Sequence, residues 1–126
     1  MGEENLAEYD VLIIDTIGLL TKIYSYANAA YVGGGFATGL HNTLEPAVFG
    51  IPVVIGPNFK GFKEAEDLVA QKGIIPVNNT EKFKALMDGF ISDPASAQKI
   101  GNINSGYINE NLGATGVVVE YITRLL

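Results

Sequence analysis

Four short apolar runs lie in the first two thirds of the chain, and each has the length and β-branched content of a buried strand. They cover residues 11–14, 30–32, 52–55 and 74–77. None of them alternates polar with apolar residues, as a strand with one hydrated face would. The pattern therefore predicts strands whose two faces are both covered.

Segments with helical spacing separate and follow these runs. Apolar stripes with positions three and four residues apart occupy residues 19–27, 62–69 and 83–91. Thr80 is predicted to cap the third of these helices, Pro94 to open a fourth, and a last helix is expected after Thr115. Strand and helix alternate with short links, which predicts an α/β fold: a parallel sheet with helices on both faces.

The predicted sheet is small for this architecture. Four parallel strands are few when both faces are covered, and an apolar edge strand would favour aggregation if solvent reached it. We therefore expect the chain to be the C-terminal part of a larger enzyme, with the other strands upstream. An exposed edge could also let two copies of the chain pair as a homodimer.

Composition and charge exclude several classes of protein. The 126 residues suit one domain, and with 48% hydrophobic and 17% charged residues the chain is unlike a disordered protein. A net charge of −6 without a basic cluster argues against binding nucleic acid or an anionic membrane surface. The absence of cysteine and a single histidine exclude disulfides, cysteine nucleophiles and Cys/His zinc sites. We expect no metal and no cofactor.

The sequence shows no pattern of a signal peptide or of a transmembrane helix. The acidic start lacks the basic region of a signal peptide. No apolar run approaches the roughly 18 residues that a transmembrane helix requires. We therefore expect a cytoplasmic protein.

The most informative stretch joins the second run to the third. Three consecutive glycines, Gly33, Gly34 and Gly35, follow a predicted strand and lead towards a helix. Ligands bind at the carboxyl ends of parallel strands, and successive glycines let backbone N–H groups approach a phosphate. The spacing matches neither the dinucleotide-binding fingerprint nor the Walker loop. Taken alone, the triplet suits a tight turn as well as a phosphate site.

Two ionisable residues, His41 and Glu45, follow the glycines. Asn42 and Glu45 could form a capping box, but Pro46 argues against it, because its missing N–H would then remove the first intrahelical hydrogen bond. A helix beginning between Thr43 and Glu45 leaves the carboxylate free, and we favour a role in accepting hydrogen bonds from sugar hydroxyls. The lone histidine, His41, is either structural or a donor to a phosphate or carboxylate.

Four motifs occur in a fixed order along the chain. They are Asp15-Thr16-Ile17-Gly18, Tyr31-Val32-Gly33-Gly34-Gly35-Phe36, Gly39-Leu40-His41-Asn42-Thr43-Leu44-Glu45-Pro46-Ala47, and Gly50-Ile51-Pro52-Val53 with Gly56-Pro57. Together they resemble the C-terminal domain of the bacterial 3-deoxy-D-manno-octulosonic acid (Kdo) transferases of lipopolysaccharide assembly, over nearly the whole chain. The chain departs from the family at Leu19, where glutamate is usual, at Gly35, where serine is common, and at Leu40, where glycine is common.

The resemblance implies a two-domain glycosyltransferase of the GT-B type that moves Kdo from CMP-Kdo to a lipid A precursor. Residues 1–126 would form part of its Rossmann-like C-terminal, donor-binding domain, without the N-terminal acceptor domain. The positions implied to bind the nucleotide are Ile17, Gly18, Leu19, Gly35, His41, Asn42, Thr43, Leu44 and Glu45. Residues 17–19 would lie against the cytosine, residues 42–45 would hold the phosphate and ribose, and Glu45 would bind the ribose.

The family's catalytic base is a glutamate of the N-terminal domain, and it has no counterpart here. We therefore expect no catalytic residue in this chain and no activity of the chain alone. The full transferase would work at the cytoplasmic face of the inner membrane. Two alternatives stay open: another nucleotide-sugar enzyme of the same build, such as a UDP-sugar transferase or epimerase, and a module that pairs through its exposed strand and binds no nucleotide.

Overall fold

The chain folds around a sheet of three parallel strands. This computed structural model describes residues 6–15, 18–37 and 39–125, with side chains for 7–15, 18–20, 22–37 and 39–111. The strands are β1 (Ala30–Val32), β2 (Val53–Ile55) and β3 (Ile74–Pro76), which lie side by side in the order β1-β2-β3. The register places Ala30 beside Val53, and Val53 beside Ile74.

Five α-helices accompany the sheet in the described part of the chain. They are α1 (Leu20–Tyr24), α2 (Leu44–Val48), α3 (Lys63–Ala70), α4 (Thr80–Ser92) and α5 (Pro94–Leu125), and a 3-10 helix covers Leu6–Glu8. None of these described helices is both long enough and apolar enough to cross a membrane.

Helices cover both faces of the sheet. On one face the strands pack with α2, α3 and α5 into a buried cluster made of Val32, Leu40, Ala47, Val53, Ile55, Ala65, Leu68, Ile74, Tyr107 and Ile108. Because side chains alternate along a strand, Tyr31 and Val54 point to the other face. There the ring of Phe83 from α4 meets Tyr31 edge to face, with 5.6 Å between the ring centres. The predicted α/β class, with a parallel sheet between helices, is confirmed.

The first predicted strand does not form. Residues 11–14 adopt no regular structure, and Val11 and Ile13 are 77% and 84% exposed. A strand needs a neighbour that shares its backbone hydrogen bonds, and none of the three strands in the described residues pairs with this segment. The apolar composition of the run was therefore not sufficient to predict a strand.

Two helix boundaries also differ from the prediction. Asn79, and not Thr80, caps α4, because its side-chain oxygen accepts a hydrogen bond from the Lys82 N–H at 2.8 Å. The separate last helix expected after Thr115 is instead the continuation of α5. Glycine occupies positions 113 and 116, and glycine weakens a helix without having to end it.

Asn104 of α5 ties that helix to the sheet. Its side chain is fully buried, and its Nδ2 donates to the carbonyls of Ile51 at 2.8 Å and Gly73 at 2.9 Å. These two residues precede β2 and β3, so one amide joins the helix to the amino ends of two strands. A side chain at Gly73 would overlap the Asn104 Oδ1 atom, which explains glycine at that position.

We expect Asn104→Ala to lower the free energy of unfolding by about 2–3 kcal/mol, because two buried carbonyls lose their donor. Urea denaturation followed by circular dichroism measures the change. Asn102→Ala is the matched control, since Asn102 lies in the same helix but is exposed. Equal urea midpoints for the two variants would contradict the role of Asn104.

Candidate functional site

A glycine-rich loop leaves β1 at the carboxyl end of the sheet; the name covers residues 33–37 and 39–41. The Ala37 N–H donates to the Gly34 carbonyl and the His41 N–H to the Gly33 carbonyl, both at 3.0 Å. Gly34 has a φ of +91°, and a side chain there would overlap the Gly39 carbonyl. The loop is therefore folded tightly onto itself.

The segment that follows β2 packs against this loop and donates hydrogen bonds to it. The backbones of Gly35 and Gly56 touch, so a Cβ atom on Gly35 would lie 2.6 Å from the Gly56 nitrogen. The Asn58 N–H donates to the Gly35 carbonyl at 2.7 Å, and the Asn58 Nδ2 donates to the Ala37 carbonyl at 3.3 Å. Two neighbouring strand ends are thus joined directly.

Two backbone donors of the loop have no partner among the described residues. Within the described part of the chain, the N–H groups of Gly35 and Phe36 donate no hydrogen bond. Gly35 is buried, whereas Phe36 is 55% exposed. Successive unpaired N–H groups in a glycine-rich turn form a concave surface that suits an anion.

The start of α2 has the register that Pro46 predicted. Thr43 is the N-cap residue, and Pro46 is the third residue of the helix, where no intrahelical hydrogen bond is lost. The Asn42 Oδ1 accepts from the Leu44 N–H at 2.9 Å. Within the described residues the Glu45 carboxylate accepts no hydrogen bond, so there is no capping box and the carboxylate is available.

The positions expected against the cytosine lie at the start of α1. Ile17 lies outside the described residues. Gly18 is exposed with a φ of +93°, and Leu19 is the N-cap residue of α1, with a side chain that is 39% exposed. Their place beside a nucleotide stays a prediction.

Helix α1 contacts α2 through an aromatic pair next to Glu45. The ring of Tyr24 at the end of α1 lies 6.1 Å from that of Phe49, which follows α2. Burial raises the pKa of the Tyr24 hydroxyl, and the negative charge of Glu45 raises it further. Tyr24 therefore brings α1 next to the carboxylate.

The fold brings some of the predicted positions together. Residues 42–45 follow the glycine-rich loop directly, and the ring of His41 lies beside Gly33, whose built Cβ would be 3.6 Å from the ring. Sequence patterns did not predict the roles of Tyr24 and Asn58. The available signal for Asn58 was its position after Gly56-Pro57, at the carboxyl end of a predicted strand.

A separate groove lies at the other end of the sheet. It has a volume of about 540 Å³, and its lining includes Ala29 and Pro52, which precede β1 and β2. Ligands of parallel sheets bind at the carboxyl ends, so this groove is separate from the candidate site. No cluster of three metal-binding side chains occurs among the described residues.

The chain is similar to known proteins in sequence and in structure. No family model matches the chain. The 3-deoxy-D-manno-octulosonic acid transferase of Haemophilus influenzae is 32% identical over 119 residues, which cover 92% of this chain and 28% of that protein. The transferase of Chlamydia muridarum is 32% identical over 98 residues, covering 76% of this chain and 23% of that protein. The chain is a partial-length homologue of the Kdo transferases. It spans about a quarter of the length of these two relatives.

A solved structure supports the fold of this Kdo transferase homologue. The C-terminal CMP-Kdo binding domain of WaaA from Acinetobacter baumannii superposes with a TM-score of 0.67 and 21% identity. The match covers 75% of this chain and 51% of that domain. The resemblance inferred from the four motifs is confirmed by the sequence relatives, and the fold by this structure.

We expect Glu45→Gln to lower the pKa of Tyr24, because it removes a nearby negative charge. Burial remains, so the pKa should stay above the ordinary tyrosine value. Titration of ring-labelled tyrosines by NMR resolves Tyr24 among the six tyrosines. Glu110→Gln, on exposed α5 surface, should leave the Tyr24 pKa unchanged. The same Tyr24 pKa in the Glu45→Gln protein would exclude the proximity.

We expect Gly56→Ala to destabilise the chain by about 1–3 kcal/mol, because its Cβ atom would overlap the Gly35 carbonyl group and force the loop to move. Gly39→Ala in the same loop should have a smaller effect, since nothing lies within 4 Å of its built Cβ. Thermal unfolding of both variants measures the difference. Equal melting temperatures would argue against the close contact of the two glycines.

Proposed function

We propose that the chain forms part of the donor-binding domain of a Kdo transferase and holds the CMP portion of CMP-Kdo. The observation that carries this proposal is a pair of N–H groups, at Gly35 and Phe36, that donate no hydrogen bond within the described residues. They lie in the glycine-rich loop at the carboxyl ends of β1 and β2. The homology to Kdo transferases and the fold shared with a CMP-Kdo binding domain support the same function.

The phosphate of the donor would bind the backbone of the glycine-rich loop and residues 42–44. The chain carries a net charge of −6, and its one arginine is Arg124 near the C-terminus. Backbone N–H groups offer positive dipoles without a charged side chain, which suits anion binding in an acidic chain. His41, exposed beside Gly33, would contribute a further donor at this position.

Glu45 would bind the ribose. Its half-buried carboxylate accepts no hydrogen bond within the described residues, and two carboxylate oxygens can accept from two neighbouring hydroxyl groups. A carboxylate would repel the phosphate, so a contact with the sugar is the favourable arrangement. Gly18 and Leu19, with Ile17, would lie against the cytosine.

The role of this chain in the transfer would be binding and orientation. When an acceptor hydroxyl attacks the anomeric carbon of Kdo, the bond to CMP breaks and negative charge develops on the leaving phosphate. N–H groups that point to this phosphate would stabilise the charge. The general base that takes the hydroxyl proton would belong to the rest of the transferase, as would the contacts with the lipid A precursor.

Two further expectations belong to the same proposal. The site would work in the cytoplasm, at the inner face of the inner membrane, where the transferase would meet its acceptor. The outer edge of β1, which pairs with no further strand among the described residues, would allow two copies of the chain to pair.

We expect CMP to shift the amide NMR signals of residues 18–19, 35–36 and 41–45 in the 126-residue chain. UMP and UDP serve as controls. Stronger binding of UMP or UDP would favour a UDP-sugar enzyme of the same build. Absence of any shift with millimolar CMP would contradict nucleotide binding by this chain.

We expect Glu45→Gln to weaken CMP binding at least tenfold, because a hydrogen bond to a charged group contributes about 1.5–3 kcal/mol. Affinity for 2′,3′-dideoxy-CMP, which lacks both ribose hydroxyls, should not change. Glu64→Gln on the exposed surface of α3 is the control for the loss of one negative charge. An equal loss of affinity for both nucleotides would exclude the ribose contact.

A further inference from the structure

Asn58 is outside the positions that the family motif assigns to the nucleotide, yet it makes two of the contacts that hold the glycine-rich loop. Its N–H binds the Gly35 carbonyl at 2.7 Å, and its Nδ2 binds the Ala37 carbonyl at 3.3 Å. The residue is exposed, and its described hydrogen bonds all go to this loop. Asn58 therefore contacts the loop without being part of the core.

The contact with Gly35 determines where a neighbouring donor points. A trans peptide group is planar, and its C=O and N–H point in opposite directions. No cis peptide occurs in the described chain, so the N–H of Phe36 is opposite to the Gly35 carbonyl that Asn58 binds. The Phe36 N–H thus faces away from residues 56–58. Rotation of this peptide would turn the donor out of its present direction.

We propose that Asn58 is a positioning residue for the donor phosphate, which acts by holding the Gly35–Ala37 backbone so that the Gly35 and Phe36 N–H groups converge on one anion. This inference rests on the proposed function, because it assumes that the phosphate binds there. The second hydrogen bond, from Asn58 Nδ2 to the Ala37 carbonyl, prevents residues 35–37 from rotating about the hydrogen bond to the Gly35 carbonyl.

The position of Asn58 separates this role from a purely structural one. Asn104 is fully buried and its amide joins a helix to two strands, so its loss should affect the whole fold. The Asn58 side chain, by contrast, makes one hydrogen bond to an exposed turn. Its removal should change the affinity for a phosphate while it leaves the sheet and the core intact.

The test compares two ligands that differ only in the phosphate, CMP and cytidine, on the 126-residue chain. Asn58→Ala removes the hydrogen bond from Nδ2 to the Ala37 carbonyl and keeps the backbone one to Gly35. It should weaken CMP binding about fivefold, the effect of one neutral hydrogen bond, and leave the affinity for cytidine unchanged. NMR titration measures both affinities. The free Asn58→Ala protein should also show moved amide signals at residues 35–37 with an unchanged urea midpoint.

Asn102→Ala is the matched control, an exposed asparagine on α5, and should alter neither affinity. If Asn58→Ala weakens CMP and cytidine by the same factor, or weakens neither, the inference is wrong while the proposed function stands. If the unchanged chain binds no CMP at all, the proposed function fails and the inference fails with it. The two failures are therefore distinguishable.

Discussion

The contact between the backbones of Gly35 and Gly56 is the constraint on which the geometry of the candidate site depends. Parallel strands lie about 4.8 Å apart, so the chain segments that leave β1 and β2 start as close neighbours. The register sets Val32 beside Ile55, and each is followed at once by a glycine segment. A Cβ atom at either glycine would overlap backbone atoms of the other. Only glycine at both positions therefore lets the glycine-rich loop lie against the segment that leaves β2.

This contact has a counterpart at the opposite end of the same strand. Before β2, Asn104 of α5 donates a hydrogen bond to the Ile51 carbonyl. After β2, residues 56 and 58 contact the glycine-rich loop. β2 itself is the central strand, and Val53, Val54 and Ile55 are fully buried. The loop is thus attached to a fully buried strand, and regular elements of this kind keep the geometry of a binding site better than loops do.

Local chemistry made much of this arrangement predictable, and tertiary contacts account for the rest. Three buried strands followed from apolar runs, and the start of α2 followed from the missing N–H of Pro46. The run at residues 11–14 had the same composition but not the pairing partner, which no local pattern reveals. The place of Tyr24 beside Glu45 likewise depends on how α1 packs against α2.

The candidate site shows the same division. Four motifs read together, including the one around His41 and Glu45, were sufficient to recognise the family, which the sequence relatives confirm. These motifs did not include Asn58, because that residue contributes through two carbonyl groups of another segment. A residue that acts on backbone atoms leaves no paired side-chain signature in the sequence, so the structure was needed to find it.

An acidic chain that binds an anion must stabilise the negative charge of that anion through the orientation of its own polar groups. With a net charge of −6, the chain has no general attraction for a nucleotide phosphate. Backbone N–H groups are neutral dipoles, and a dipole attracts an anion only when it points at it. Affinity at such a site therefore depends on how well the peptide groups are held, more than on the number of basic side chains nearby. The close contact of Gly35 with Gly56 and the two hydrogen bonds from Asn58 provide that hold, which makes the segment after β2 as important to the proposed phosphate site as the glycine-rich loop itself.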